Sequence, residues 1–466
     1  MSSFDLLGAY QPHDTLAVGE TGTRSMRQLL ADIATIAAQL PEGDGTGLDQ
    51  PDLLVTCQDR YYLCAVLLAA WQRGRVVALP PNAREQTLAE LSTRCSGVLN
   101  DGSGPGQNVV TWLQERGSVP GLSLAKLEIE REIETYAPIP AEQRVVTIYT
   151  SGSTGTPNAC PKTAAQLIGE GFTLQKTFQL TPDSCVLATV PAHHIYGILF
   201  SLILPLAAGA RFVRETPLLT PVIEDNARRY RANVLVSVPP HLRVLAESQL
   251  ASLASVSRVF SSGAPLPDAT AHTLHRRFGV SVIEVLGSTE TGGFAYRRAE
   301  ADGSRFRAFA GVHIGVDADQ QLQLRSPLLD RDLVQPLSCP DRIELNADGS
   351  FRHLGRSDGV VKVGGTRISL PELEARVRGI SGVLDAAAFP MDAGNARGQE
   401  VWLVVATERG QELPELRAAL LRFYEPVLLP RRVRFVDSLP REATGKLMRA
   451  RLVELFRSPK TESMQP

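Results

Sequence analysis

Val145-Val146-Thr147-Ile148-Tyr149-Thr150-Ser151-Gly152-Ser153-Thr154-Gly155-Thr156-Pro157 is a β-branched run that empties into a loop of small hydroxylated residues. Val145 to Ile148 has the composition of a buried strand. From Thr150 to Thr156 five of seven positions carry a hydroxyl. Such a loop has little to bury and much to donate: backbone N–H groups freed by the glycines, and Ser/Thr hydroxyls. That is the inventory needed to wrap an anionic phosphate. The same composition suits a surface linker, so the loop alone leaves both readings open. It is not a Walker A loop, because no Gly-Lys-Ser/Thr follows at the required spacing.

On either side the chain alternates. Thr15 onward reads as a short strand before a helix over Ser25 to Leu40, with Met26, Leu29, Leu30, Ile33 and Ile36 at helical spacing. Leu53–Val55, Tyr61–Trp71 and Val76–Leu79 form a βαβ unit, and residues 101–108 read as a loop. After the phosphate-type loop, a helix over Ala164 to Phe178 leads into strands at Cys185–Val190, Val234–Val238, Val256–Phe260 and Val280–Leu286. The pattern predicts an α/β fold: a large N-terminal body of layered, mostly parallel sheets and helices. Gln321–Arg325 and Phe351–Leu354 read as antiparallel strands around Ala347-Asp348-Gly349. Gly355-Arg356-Ser357-Asp358-Gly359 is the best boundary, dividing residues 1–356 from a small α+β domain over 357–466. The polar tail from Ser458 is expected to be without structure.

Composition narrows the class. The 466 residues are 43% apolar, with net charge −2 and 6% aromatics, which points away from a nucleic-acid-binding face. Six scattered cysteines without a Cys-x-x-Cys pair argue against a disulfide framework or zinc site. The N-terminus lacks the basic flank of a signal peptide. The longest apolar stretch, Ile195 to Ala210, is too short for a membrane span and is interrupted by Gly197, Pro205 and Gly209. A cytoplasmic protein is the expectation.

Four further motifs follow the loop in order. Val285-Leu286-Gly287-Ser288-Thr289-Glu290 is a strand ending in a glycine turn and a lone acid. Ser338-Cys339-Pro340-Asp341 precedes Asp348-Gly349 and Gly355-Arg356. Gly355 to Ile368 contains the Gly364-Gly365 pair, and Leu439-Pro440-Arg441-Glu442-Ala443-Thr444-Gly445-Lys446 closes the series. Alone, each has an ordinary explanation: a helix N-cap, surface charges, turns. Together they resemble the adenylate-forming (acyl/aryl acid–AMP ligase) superfamily, whose motifs T-S-G-S-T-G-x-P-K, Y-G-x-T-E, T-G-D and L-P-x-x-x-x-G-K occur in this order. The resemblance implies ATP and Mg²⁺ as cofactors, and a mobile C-terminal lid.

It also implies roles. Thr150, Ser151, Gly152, Ser153, Thr154 and Gly155 would hold the phosphates, Thr154 and Glu290 the Mg²⁺, and Gly287, Ser288, Thr289, Gly263, Ala264 and Pro265 the nucleotide. Asp341 would accept both ribose hydroxyls, Arg356 would add donors beside it, and Lys446 would bridge the acid and the α-phosphate. Asp358 would be the hinge, with Gly364 and Gly365 lining a thiol tunnel. Two positions depart from the family: Leu286 stands where Tyr is usual, and Asn158 stands in place of the lysine after the loop proline, Lys162 being the next lysine available to the pyrophosphate. The acid pocket would draw on His194, Tyr196, Ser237, Ser262, Gly263 and Gly287, with His194 also a candidate catalytic residue beside Lys446, Glu290 and Thr154. Pro191–Gly197 has no acid to pair with an α-ammonium, so an α-amino acid is disfavoured. A pocket of His, Tyr and Ser suits a hydroxybenzoate-type aryl acid.

The chain is short for the superfamily, and a stand-alone ligase with no fused carrier domain is the expectation. It resembles the stand-alone hydroxybenzoate/acyl carrier protein ligases of aryl-polyene (xanthomonadin-type) pigment pathways, which implies transfer to the phosphopantetheine thiol of an acyl carrier protein. An aryl- or fatty acyl-CoA synthetase using free CoA is the alternative, and an inactive nucleotide-sensing homologue the third.

Overall fold

The computed structural model describes residues 2–46, 51–81, 85–102, 104–115, 135–150, 158–249, 252–329, 335–356, 359–363, 366–392, 399–408, 415–421, 423–424, 426–442, 445–457 and 462–463. The expected phosphate residues Ser151 to Gly155, the hinge Asp358 and the tunnel glycines Gly364 and Gly365 lie outside them. The chain divides into two compact units. The first comprises Met1–Gly303, Ala308–Val312 and Ser326–Val334, and the second Ser304–Arg307, His313–Arg325 and Gln335–Pro466. The sequence boundary after residue 356 falls inside the second unit.

Two large sheets and a two-stranded one, Ser3–Phe4 with Ile139–Pro140, build the first unit. The order of the six-stranded one is Asn158–Thr163, Arg144–Thr150, Val77–Leu79, Leu53–Val55, Gly97–Asn100, Gln107–Asn108. All its pairings are parallel except the hairpin of Arg144–Thr150 with Asn158–Thr163. One reading needs correction here, and one strand was not foreseen. Residues 101–108 are not all loop, because Gln107–Asn108 pairs in parallel with Leu99–Asn100. The chain beyond the phosphate-type loop is a strand, Asn158–Thr163, in which Pro161 faces Thr147. Proline cannot donate to a ladder, and it is tolerated here because this is the edge strand of the sheet.

In the second sheet, Ser281–Ser288, Arg258–Ser261, Val234–Ser237, Cys185–Ala188, Arg211–Val213 and Thr15–Val18 run parallel in that order. Leu187, Leu235, Val259 and Val282 on one face pack into a core with Ile223 and Ala227, Leu242 and Leu245, and Ala271 and Leu274, from the helices Thr220–Tyr230, Pro239–Glu247 and Asp268–Phe278. The helix Ala164–Phe178 begins on a capping box, Thr163 accepting from the Gln166 N–H and Gln166 reaching back. It ends in a ring cluster around Phe178, whose centroid lies 4.8 Å from that of Phe260 and 5.2 Å from that of Tyr296. The apolar stretch after His194 folds as a buried helical run interrupted by a π-turn at Leu199–Ile203. Among the described residues no helix is long and apolar enough to cross a membrane.

The second unit holds an antiparallel sheet, in which Gln321–Arg325 lies between His313–Val316 and Leu337–Leu345, and Phe351–Arg356 follows. It also holds a hairpin of Val360–Val363 with Thr366–Ser369, and a four-stranded sheet of Val383–Asp392, Gln399–Thr407, Arg432–Val436 and Glu462–Ser463. Strand 401–406 is apolar throughout because both of its faces are covered: Val401, Leu403 and Val405 enter one core, Val404 and Ala406 the other. Within the tail expected to lack structure, Glu462–Ser463 pairs with Arg432–Val433.

Candidate active site

In the first unit the motif Gly287 to Glu290 forms a tight reversal. Strand Ser281–Ser288 turns back as Gly292–Arg298, with Gly287 opposite Gly293 and Ser288 opposite Gly292. A Cβ at Gly287 would stand 2.9 Å from the Gly293 Cα and closer still to the Gly292 carbonyl oxygen, so only glycine fits. Ser288 and Thr291 lock the turn: the Ser288 N–H donates to Thr291 Oγ1 at 3.0 Å, and the Thr291 N–H to Ser288 Oγ at 3.2 Å. Glu290 is exposed at its tip. One exposed carboxylate is the hard-oxygen donor that Mg²⁺ takes beside substrate phosphates, so the residues present fit that ion.

Lys162 is buried, and its ammonium donates to the Glu290 carbonyl at 3.0 Å. The Cys160 thiol donates to the Thr289 carbonyl at 3.4 Å. Sequence reasoning missed Cys160 and also Glu170, which is buried and accepts from the Gly293 N–H at 2.7 Å. Its signal was present: Leu167, Glu170, Gly171, Leu174 and Phe178 share one helical face, so an acid occupies a core position. Thr150 ends the strand on the other side of the loop, opposite Asn158.

A second polar group lies at the carboxyl ends of adjacent parallel strands, where open α/β sheets bind ligands. Ser237 is in register with Ser261. Thr189 Oγ1 lies 2.8 Å from Ser237 Oγ and 3.0 Å from His241 Nδ1. The Tyr196 hydroxyl donates to the Ser237 carbonyl at 3.0 Å, and Ser262 Oγ donates to the Val285 carbonyl at 2.9 Å. Ser262 leads into Gly263, Ala264 and Pro265, with Gly263 at φ +85°. Burial lowers the pKa of both His193 and His194 to about 4, the neighbouring imidazole adding to the effect at His193. Both rings are therefore neutral at pH 7. His193 Nε2 and Ser261 Oγ are buried without a hydrogen-bond partner among the described residues.

In the second unit Asp341 faces Arg356 across the ladder. Its Oδ1 lies 2.7 Å from Nε2 of His353, a residue the sequence reading passed over. Lys446 is exposed on a turn closed by the Gly445 N–H to the Glu442 carbonyl, 2.9 Å, with Gly445 at φ +80°. Arg441 fastens this turn, donating to the Gly445 carbonyl at 2.7 Å and to Asp385 Oδ2 at 2.6 Å. The structure thus joins Lys162 to Glu290 and Tyr196 to Ser237 in one unit, and sets Asp341 and Lys446 in the other.

Comparison with known proteins adds independent findings. Residues 8–319 match the family model described as AMP-binding enzyme. The chain is 30% identical to a 4-coumarate–CoA ligase of Rhodobacter capsulatus over 64% of its own length and 73% of the relative's. It is 27% identical to a p-hydroxybenzoic acid–AMP ligase of Mycobacterium tuberculosis, over 68% of this chain and 49% of that one. In fold it resembles ATP-bound MatB from Rhodopseudomonas palustris, with TM-score 0.79 and 20% identity over 98% of this chain and 99% of that one.

Proposed function

The chain belongs to the AMP-binding enzyme family, and from that premise we propose that it activates a hydroxybenzoate-type aryl acid and passes it to a carrier-protein thiol. The coarser activity follows from the family and its ligase members: an AMP-forming acid–thiol ligase that uses ATP with Mg²⁺.

The observation that carries the choice of acid is the polar row Thr189–Ser237–His241 with its uncharged neighbours His193 and His194. An uncharged row of hydrogen-bonding groups matches a neutral ring bearing a hydroxyl, because an unsatisfied buried hydroxyl costs about 1–3 kcal/mol. Thr189 holds one ring nitrogen of His241, which leaves the other to meet a substituent. The p-hydroxybenzoic acid–AMP ligase relative supports this reading.

In the proposed reaction Thr150 and residues 151–155 hold the phosphates, and Gly263, Ala264, Pro265 and Gly287–Thr289 the nucleotide. Asp341 accepts the ribose hydroxyls with Arg356 beside it. Mg²⁺, when bound, would neutralise phosphate charge, held by Glu290 and Thr154. Lys446 brings its ammonium to the acid and the α-phosphate while the carboxylate oxygen attacks phosphorus and pyrophosphate leaves. His194 borders the acid as a neutral imidazole. The hinge at Asp358 and the Gly364–Gly365 tunnel then serve the thiol, which attacks the mixed anhydride and releases AMP.

ATP–pyrophosphate exchange across benzoates, cinnamates and fatty acids tests the acid. Hydroxybenzoates should give the highest kcat/KM, and His241→Leu should shrink their advantage over unsubstituted benzoate. A wild-type preference for fatty acids would overturn the reading. The 4-coumarate–CoA ligase relative favours free CoA as a second acceptor, and a direct rate comparison of CoA with carrier protein decides between them.

A further inference from the structure

The strand leaving the phosphate-type loop grips the turn that presents Glu290. Cys160 takes the Thr289 carbonyl and Lys162 the Glu290 carbonyl. From the helix that follows, Glu170 takes the Gly293 N–H. Gly292, at φ +67°, lets the chain pass so close that a Cβ there would stand 2.7 Å from Glu170 Oε2. Lys162 is 4% exposed and Glu170 2%.

Burying an ammonium and a carboxyl group gains the fold little, since desolvation opposes the charged form of each. Their value lies in orientation. An ammonium on the inward carbonyl of Glu290 fixes that peptide plane while the side chain stays outside. Glu170 lies near enough to feel the Lys162 charge and fixes the far end of the same turn through the Gly293 N–H. Burial holds the Glu170 carboxyl up at about 7, against the Gly293 hydrogen bond and the Lys162 charge.

We infer that Lys162 and Glu170 are positioning residues for adenylation, two buried groups that hold either end of the turn and so set the Glu290 carboxylate from beneath, and that Lys162 does not contact phosphate directly. This rests on the reading of Glu290 as the magnesium-side carboxylate. Groups that orient a metal ligand typically change metal affinity by about 10–100-fold when removed.

The test uses the full-length enzyme and the variants Lys162→Met, Glu170→Gln and Glu290→Gln. Binding of a non-hydrolysable ATP analogue is measured calorimetrically at varied Mg²⁺, beside exchange kinetics and thermal melts. Lys162→Met should raise the Mg²⁺ half-saturation for analogue binding about tenfold. Affinity for the analogue without metal, and KM for the acid, should stay within about twofold, and Lys162→Arg should recover part of the loss. Glu170→Gln, which keeps an acceptor for Gly293, should shift the same way by less, and it carries the test if Lys162→Met does not fold. Weaker metal-free nucleotide binding with an unchanged Mg²⁺ dependence would make Lys162 a phosphate ligand and overturn the inference. If Glu290→Gln itself leaves the Mg²⁺ dependence unchanged, it is the reading of Glu290 that fails.

Discussion

The turn at Ser288–Gly293 and the turn at Arg441–Leu447 present the two charges on which the proposed chemistry depends, and they are held in different ways. Glu290 sits on a reversal tied from beneath by the fully buried Lys162 and Glu170. Lys446 sits on a turn fastened by Arg441 and Asp385, whose side chains are 24% and 14% exposed. A metal-side carboxylate must be held in one orientation, which buried, hydrogen-bonded groups enforce. A lysine needed only while the acid attacks phosphorus can stand on a solvent-reachable turn, with a long flexible stem supplying reach.

The largest break in this comparison is Lys446→Ala. It should reduce acyl-adenylate formation by about 10²–10³, the usual cost of one such electrostatic contact. Thioester formation from a supplied adenylate should remain. Near-wild-type exchange would remove Lys446 from the chemistry. Arg441→Gln probes the turn and not the charge. It releases the Gly445 carbonyl and one oxygen of Asp385, so adenylation should fall by roughly tenfold, with binding of ATP alone unchanged, since a partly buried charged bond contributes on the order of 1 kcal/mol. Equal losses in both variants would mean that position, and not the Lys446 charge, limits the step.

The two turns also differ in how far sequence could foresee them. Helix Ala164–Phe178 has the bounds its spacing predicts, because the apolar period and the Thr163/Gln166 cap agree. Strand Asn158–Thr163 was illegible: Asn and Pro both argue against a strand, and only the edge of the sheet accepts them. The Gly287 to Glu290 and Lys446 motifs stand out because glycine and a lone charge punctuate strand ends. Their supports are harder to place: Glu170 shows itself as an acid on an apolar helix face, but Glu170 and Asp385 lie 120 and 61 residues from Glu290 and Lys446, and nothing local tells which residue each serves.

Burial of Glu170 has a consequence for pH. Its folded-state pKa of about 7 lies above the ordinary 4.5, so the folded protein retains a proton that the unfolded chain has lost. The associated stability is present below about pH 4.5 and disappears as pH rises through 7. His193 and His194, lowered to about 4, act oppositely: their contribution is full above pH 6.5 and is lost as pH falls through 4. Glu170→Gln should flatten the decline in stability between pH 4.5 and 7, by an amount of order 2–3 kcal/mol at most, and leave the acid limb. Urea midpoints across that range measure it, and an unchanged slope would mean that Glu170 is ionised throughout.

The smallest expected effect concerns what surrounds the Lys446 turn. From Pro430 to Arg457 there are eight basic residues against three acids, in a chain of net charge −2. The structure commits some of them: Arg441 to Asp385, Arg432 to the face of Trp402 at 4.6 Å, and Arg449 to the Pro390 carbonyl at 3.0 Å. Arg451 and Arg457 are exposed on and just beyond the helix Arg449–Glu454. An acidic carrier protein would be steered by such a face, and steering acts on encounter rate more than on final affinity. The paired change Arg451→Glu and Arg457→Glu should therefore slow carrier loading several-fold at low ionic strength, with adenylation untouched. The defect should shrink as salt shortens the screening length from about 30 Å at 0.01 M to about 8 Å at 0.15 M. The phosphates of CoA would feel the same field, so the rates must be taken with CoA and with carrier protein side by side. A defect confined to CoA would assign the basic face to the small thiol and make this enzyme a CoA ligase.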